Sequence, residues 1–227
     1  MSKTFVISLG GSLIVPDSID TIFLNRFFKL IRKQVALGHK FILVCGGGKT
    51  ARQYIQALNK ISTSSSAEQL DWMGISATWV NAKLIQLALA DLSYPEIISD
   101  PNQKVNFKQK VLVAGGWKPG RSTDDDAVRL AKSYDSSTVI NLSNVDYLYN
   151  SDPKKNRNAV KIENISWKNY LDMVGKKWDP GANFPFDPVA AQFARKHKKQ
   201  VIIANGNNLP NLQRILGAKS FLGTIIA

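Results

Sequence analysis

Three glycine-rich turns, each directly after an apolar run, have the residue types needed to hold phosphate groups. They are Gly10-Gly11-Ser12, Gly46-Gly47-Gly48 and Gly115-Gly116-Trp117. Glycine lets backbone N–H groups approach a phosphate closely because no Cβ intervenes. A helix that begins after such a turn adds the positive end of its dipole, and Lys49 and Arg52 would add side-chain charge. Three turns of this kind indicate a phosphate-rich ligand at the carboxyl ends of several strands.

The elements that must position these turns alternate between strand and helix. Apolar runs predict strands at 4–9, 40–45, 96–98, 110–114, 138–142, 200–204 and 221–226. Patterns of helical period predict helices between Asp20 and Gly38, at 49–61, 67–92, from about 123, and at 166–174, 188–197 and 208–216. The segment 147–162 is expected to form a short hairpin. This alternation predicts the α/β class with a mostly parallel sheet.

Composition narrows the function classes. The 227 residues contain a single cysteine, Cys45, which excludes an internal disulfide and a cysteine-based zinc site. The chain has no apolar run of transmembrane length and no signal peptide, so we expect a cytoplasmic protein without a membrane span. The formal charge of +13 comes from scattered lysines, which are typical of solvated faces. We therefore expect a small polyphosphate ligand rather than nucleic acid.

Two familiar nucleotide motifs do not fit. A P-loop needs a glycine five residues before Gly48, where Leu43 stands. The glycine pattern that begins at Gly46 lacks the second strand and the acidic residue of a dinucleotide-binding unit. Neither His39 nor His197 has a sequence context that would make it catalytic.

The ordered set of motifs resembles the amino acid kinase superfamily and, within it, the archaeal-type uridylate (UMP) kinases. The matching segments are Leu9 to Ser12, Gly46 to Arg52, Asp71 to Ile75, Gly115 to Asp124, Ser143 to Tyr149 with Asp152-Pro153, and Asp187 to Ala191. The resemblance covers essentially the whole chain. It implies one domain, 1–227, folded as a three-layer αβα sandwich. Residues 1–125 would form mainly the UMP side and 126–227 mainly the ATP side.

The resemblance also implies site residues. Those expected to bind ATP are Gly11, Ser12, Gly48, Arg52, Ser143, Asn144, Tyr149 and Asp152. Those expected to bind UMP are Gly47, Asp71, Trp117, Lys118, Pro119, Gly120, Arg121, Ser122 and Thr123. Lys49 and Asp124 are expected to be catalytic. Mg²⁺ would accompany ATP, and no site formed by the protein alone is expected for a metal.

The implied activity is ATP-dependent phosphorylation of UMP to UDP, in pyrimidine nucleotide biosynthesis. Two lysines that many relatives carry are absent here. Ser8 stands before the first glycine turn, and the segment 183–187 has no lysine. Lys49 is therefore the leading candidate for the cation that offsets phosphate charge. Two alternatives stay open. One is a kinase of the same fold that acts on another nucleoside monophosphate, an amino acid or isopentenyl phosphate. The other is a non-catalytic protein that binds nucleotides or RNA. A homo-oligomer, by resemblance a hexamer built as a trimer of dimers, is expected.

Overall fold

The computed structural model describes residues 2–151, 156–175 and 185–227, which are arranged around an eight-stranded sheet. The strands are β1 Thr4–Leu9, β2 Lys40–Cys45, β3 Ser93–Ile98, β4 Val111–Ala114, β5 Thr138–Ser143, β6 Leu148–Tyr149, β7 Lys161–Ile162, β8 Asn164–Ile165, β9 Gln200–Asn205 and β10 Thr224–Ile226. The helices are α1 Gly11–Ile14, α2 Thr21–Ala36, α3 Gly48–Ile61, α4 Ala67–Ala88, α5 Thr123–Ser133, α6 Trp167–Val174, α7 Pro188–Lys196 and α8 Leu209–Leu216.

The strand order is β3-β4-β2-β1-β5-β9-β10-β8. The first six strands of this order are parallel, β10 pairs antiparallel with β9, and β8 pairs parallel with β10. Strands β6 and β7 form the separate antiparallel hairpin that the sequence predicts. Consecutive parallel strands require crossover helices, and these cover both faces of the sheet.

Side chains on the central strands alternate between two apolar layers. Ile7 and Leu43 belong to the core under α2, α4 and α8, whereas Val6 and Ile42 belong to the core under α5, α6 and α7. All four are fully buried. Burial on both faces explains the nearly continuous apolar runs, and it confirms the expected three-layer αβα sandwich.

Three predicted boundaries were wrong, and one of them is the start of β3, which lies at Ser93 rather than at residue 96. Helix α4 ends at Ala88 rather than near residue 92, and the Ser93 hydroxyl donates to the carbonyl of Gln86 at 2.9 Å, where the chain turns into β3. The last strand starts at Thr224 rather than 221. The two-residue strand β8 was not predicted, because a pair of residues carries no measurable period.

The parallel strands give the sheet two unlike edges. At one edge, which we call the carboxyl edge, strands β1, β2, β4 and β5 end and the glycine turns begin. At the other, the amino edge, the same strands begin. Within the described parts of the chain, no helix is both long enough and apolar enough to cross a membrane.

Candidate nucleotide site at the carboxyl edge

The first two glycine turns contact each other directly. A Cβ on Gly11 would lie 2.0 Å from the backbone nitrogen of Gly48, and one on Gly46 would lie 2.4 Å from that of Gly11. Gly48 has φ +63, in the left-handed region that favours glycine. The helices α1 and α3 therefore start side by side.

Helix α4 connects the second glycine turn to the third. The buried side chain of Asn81 donates to the carbonyl of Gly46 at 2.8 Å and to that of Gly47 at 3.2 Å. The hydroxyl of Thr78 accepts from the backbone nitrogen of Gly116 at 2.7 Å. Three segments distant in sequence thus meet at one edge, as the repeated glycine pattern predicts.

Asp124, in the first turn of α5, lies at the junction of the two halves of the sheet. Its Oδ1 accepts from the hydroxyl of Ser8 at 3.1 Å and from the amide of Asn141 at 2.9 Å. Its Oδ2 accepts from the backbone nitrogen of Asp187 at 3.3 Å. Ser8 lies near the end of β1, and Asn141 lies near the end of β5. The Asp124 carboxylate therefore joins the ends of the two central strands.

The electrostatics of this junction favour a cation. Burial, and then the charge of the neighbouring Asp187, raise the pKa of Asp124 to about 7. Burial also raises the pKa of Asp187, although the Ser122 hydroxyl donates to its carboxylate. Two carboxyl groups this close repel each other when both are ionised, unless a positive charge lies between them or one of them holds a proton. A lysine or a metal ion carried by a phosphate would supply that charge.

The segment after the third glycine turn, 115–123, forms a loop that α4 and α5 hold at several points. Asp71 accepts from the backbone nitrogen of Gly120 at 2.8 Å, and Trp79 donates to the carbonyl of Gly116 at 2.8 Å. Asp126 accepts from the backbone nitrogen of Trp117 at 3.1 Å. Between this loop and the start of α4 lies a depression of about 700 Å³, whose lining residues are Ala67, Glu68, Asp71, Trp72, Lys118, Pro119 and Gly120.

A buried ion-pair network supports the base of this loop. The fully buried Asp125 accepts from Arg129 at 2.7 Å and lies 3.6 Å from the guanidinium of Arg121. Arg129 also lies over the rings of Trp117, at 5.4 Å, and Phe193, at 4.4 Å. The Lys118 ammonium lies 4.0 Å from the centroid of the Trp117 ring. Arg121 is thus held in place from the α5 side.

Lys49 and Arg52, in the first turn of α3, are the basic side chains next to the second glycine turn. Lys49 makes an ion pair with Asp17, in the loop between α1 and α2. This pair lowers the pKa of Asp17. Because Asp17 is exposed, the pair is weak and an anionic ligand can compete for the ammonium.

Four of the remaining predicted nucleotide residues, Ser143, Asn144, Tyr149 and Asp152, lie at or after the end of β5 in the sequence. Ser143 ends β5, and its hydroxyl accepts from the backbone nitrogen of Val145 at 3.4 Å. Asn144 follows Ser143 directly, while Tyr149 lies in the hairpin strand β6 opposite Lys161. Ser12 lies in α1 and Thr123 begins α5, both at the carboxyl edge. Asp152 lies outside the described residues.

Reasoning from sequence missed several contributors. Ser8 was noted only as a missing lysine, and Asn141, Thr78 and Asn81 attracted no attention, although their side chains organise the edge. Asp187 was part of a matching motif but was not selected as a site residue. The available signal was polarity inside apolar elements: Ser8 and Asn141 interrupt strands that are otherwise apolar, and buried polar groups require partners.

Comparison with known proteins agrees with this geometry. The model of the Amino acid kinase family matches residues 3–205. The chain belongs to the amino acid kinase family. It is 32% identical over 227 residues to the uridylate kinase of Methanoculleus marisnigri, covering 99% of this chain and 95% of that one. It is 35% identical over 232 residues to the uridylate kinase of Thermoplasma volcanium, covering 100% and 98% of the two chains.

A solved structure of the same family extends the agreement to three dimensions. The crystal structure of the uridylate kinase from Archaeoglobus fulgidus superposes with a TM-score of 0.84 at 30% identity, and each chain covers 100% of the other. The amino acid kinase fold expected from the ordered motifs is therefore confirmed. The similarity runs through all the elements that form the carboxyl edge.

Proposed function

We propose that this protein is an enzyme that transfers the γ-phosphoryl group of ATP to UMP, giving ADP and UDP. The observation that carries the proposal is the convergence of three glycine turns and Asp124 at one edge of a sheet. Full-length similarity to proteins named uridylate kinase supports the choice of acceptor. Two nucleotides would lie end to end along this edge, one on each side of the β1–β5 junction.

The reaction needs positioning and charge neutralisation more than a strong base. A phosphate oxygen of UMP attacks the γ-phosphorus in line, and the bond from that phosphorus to the bridging oxygen of ADP breaks. Lys49 would leave Asp17 to neutralise transferred negative charge, and the N–H groups at the starts of α1 and α3 would hold phosphate oxygens. Gly11, Ser12, Gly48 and Arg52 would contact ATP from this side.

We assign the acceptor mainly to residues 1–125 and the donor mainly to residues 126–227, together with the phosphate contacts of the first two glycine turns. Gly47, Asp71 and the loop from Trp117 to Thr123, including Arg121 and Ser122, would surround UMP. The 700 Å³ depression beside Asp71 has the size of a small-ligand pocket, which supports this assignment. Ser143, Asn144, Tyr149 and Asp152 would hold the adenosine part of ATP.

The ligand atoms that the site offers to a metal fit Mg²⁺ that is bound mainly by substrate phosphates. Among the described residues, no cluster of three acidic, histidine or cysteine side chains could hold a metal. Mg²⁺ commonly uses one or two carboxylates together with substrate phosphates, and Asp124 is the carboxylate best placed for this. When bound, the ion would neutralise charge on the phosphates.

An assay of ADP release with ATP and one acceptor at a time tests the proposal. The acceptors are UMP, CMP, dUMP and GMP, each measured with and without Mg²⁺. We expect the highest kcat/KM for UMP and loss of activity without the ion. Absence of turnover with every pyrimidine monophosphate would contradict the proposed activity.

We further propose that the protein assembles into a homo-oligomer, a hexamer formed as a trimer of dimers. Helix α4 supports self-association, because Val80, Leu84 and Leu87 share one face and are 64%, 37% and 60% exposed. Light scattering after gel filtration should give six times the chain mass, and Val80→Asp should reduce it. A monomer of the unmodified protein would contradict the assembly.

We place this enzyme in the cytoplasm. The described cysteine, Cys45, is free and buried in β2, as is usual for proteins of a reducing compartment. Fractionation of cells into membrane, secreted and cytoplasmic fractions tests this placement. Recovery mainly from the membrane or secreted fraction would contradict it.

A further inference from the structure

The amino edge carries a groove that plays no part in the proposed reaction. Three depressions of about 340, 580 and 500 Å³ follow one another along this edge. The first two share Thr4 and Tyr134 as lining residues, and the second and third share Gln200. We call this continuous feature the amino-edge groove. It lies at the opposite ends of the strands from the three glycine turns.

Basic side chains line the whole length of the amino-edge groove. Those of the first depression are Lys40 and Lys104, those of the second are Lys3 and Lys219, and those of the third are Lys168, Arg195, Lys198 and Lys199. Among the described lining residues, the only acidic side chain is that of Asp135, which pairs with Lys104 at 3.8 Å. The groove therefore has a large excess of positive charge.

Helix dipoles account for only part of this charge, such as that of Arg195 in the last turn of α7. A lysine in the last turn of a helix offsets the negative end of its dipole, which explains residues such as Lys132. Lys3, Lys40 and Lys199, however, lie immediately before or at the start of strands, and sheets have only small net dipoles. These side chains add positive charge that no described acidic partner offsets.

His197, at the end of α7, lies close to several positive charges. Its pKa is lowered by desolvation and then by the positive charges of Lys132, Lys196 and Lys199. Several like charges therefore act on one partly buried imidazole at the end of α7. Such a potential attracts polyanions and holds them by release of their counterions.

We propose that the amino-edge groove binds single-stranded RNA through its sugar–phosphate backbone. A flexible single strand can bend into three small depressions in succession, whereas a rigid duplex would contact only the rims between them. The hydroxyls of Ser2, Ser137 and Thr138 line the central depression and can hydrogen-bond to ribose or phosphate. Apolar side chains such as Ile140, Ile202 and Phe221 also line the central depression. The concave shape of the groove favours a nucleic-acid strand over a flat lipid surface. Binding is independent of base sequence, because backbone contacts carry no sequence information.

Fluorescence anisotropy with a labelled oligoadenylate RNA of about twelve nucleotides tests the proposal on the full chain. We expect the logarithm of the association constant to fall with the logarithm of salt concentration at a slope of about −3, because each neutralised phosphate of a single strand contributes about −0.7 to that slope. Saturating ATP and UMP should leave this binding unchanged. Competition by either nucleotide would assign the RNA to the carboxyl edge and overturn the proposal.

A matched pair of variants separates the groove from net charge. Lys3→Glu with Lys219→Glu changes two exposed groove residues, and Lys29→Glu with Lys60→Glu makes the same charge change on α2 and at the end of α3. We expect about tenfold weaker RNA binding for the first double variant and less than about threefold for the second. Kinase kcat and KM should match the parent in both.

Equal weakening by the two double variants would show an effect of net charge alone and would overturn the assignment. Stronger retention on vesicles of anionic phospholipid than on RNA, lost in the groove variant, would assign the groove to membranes and also overturn it. Thermal unfolding verifies that each variant is folded. If the glutamate variant is not, Lys3→Gln with Lys219→Gln provides the same test.

Discussion

The two edges of the sheet differ in construction. The carboxyl edge contains close-packed glycines and buried carboxyl groups, and burial raises the pKa of Asp124 to about 7 and of Asp126 to about 8. The amino edge carries exposed lysines that line shallow depressions. One edge is thus a buried, preorganised site, whereas the other is an accessible surface that acts through its field.

The common direction of the crossover helices explains part of this difference. Their positive N-terminal ends lie at the carboxyl edge, where α5 starts with Asp124, Asp125 and Asp126. Their negative ends lie at the amino edge, where α7 finishes with Arg195 and Lys196. The comparison teaches that the helix ends of a parallel α/β sheet favour acidic side chains at one edge, as in α5, and basic side chains at the other, as in α7, although the first turn of α3 contains the basic Lys49.

The largest expected effect comes from removing the central charge of the carboxyl edge. Asp124→Asn keeps the shape but loses the negative charge between Ser8 and Asn141, and we expect kcat to fall about a hundredfold or more. Asp135→Asn, at the amino edge, is the matched control and should leave kcat unchanged. A decrease of less than threefold for Asp124→Asn would show that this carboxylate is not part of the reaction.

The close approach of the glycine turns is the next point to test. In Gly11→Ala the new methyl group would lie 2.0 Å from the Gly48 nitrogen, so the backbone must separate. We expect the free energy of unfolding to fall by about 3 kcal/mol, measured by denaturant titration. Gly217→Ala, whose nearest contact would be 3.3 Å, should cost clearly less. Similar losses would mean that the turns are not close-packed.

Substitutions of Lys49 and Asp17 test whether the Lys49 ammonium acts on the phosphates or mainly on its ion-pair partner Asp17. Lys49→Met should lower kcat/KM for ATP by about tenfold to a hundredfold, because a charge that stabilises the transferred phosphoryl group is lost. Asp17→Asn removes only the exposed partner and should change kcat/KM by less than about threefold. Steady-state kinetics with varied ATP provide both values. A larger effect for Asp17→Asn would reverse these roles.

The smallest expected effect is a pH dependence of stability. Burial and then Asp125 raise the pKa of Asp126 to about 8, above the unfolded value near 3.8, so the folded state binds the proton more tightly. The stabilisation that protonated Asp126 contributes is full below about pH 4 and is lost as pH rises through about 8.

Asp126→Asn should therefore flatten the decrease of Tm between about pH 5 and 9, while Asp135→Asn should not. Differential scanning calorimetry at several pH values provides the comparison. Parallel curves for the parent and Asp126→Asn would show that this carboxyl group does not titrate in that window.

Much of the fold was predictable because strong periodicity reflects burial. The runs that became β1, β2, β5 and β9 were recognised nearly residue for residue, since both of their faces are covered. Strand β8 was missed, and α4 was extended too far, because short strands and helix ends depend on tertiary contacts. At the site, the glycine turns were evident, but the partners Ser8, Asn141 and Asn81 were not.

The sequence by itself determined the order of strands and helices, the glycine turns and the total charge, because these depend on local backbone preference and on composition. Only the tertiary structure decided which polar side chains meet Asp124 and at which edge the lysines collect. Those relationships join residues more than a hundred positions apart, such as Ser8 and Asp124. They are fixed by the register and direction of the strands, which no local pattern encodes.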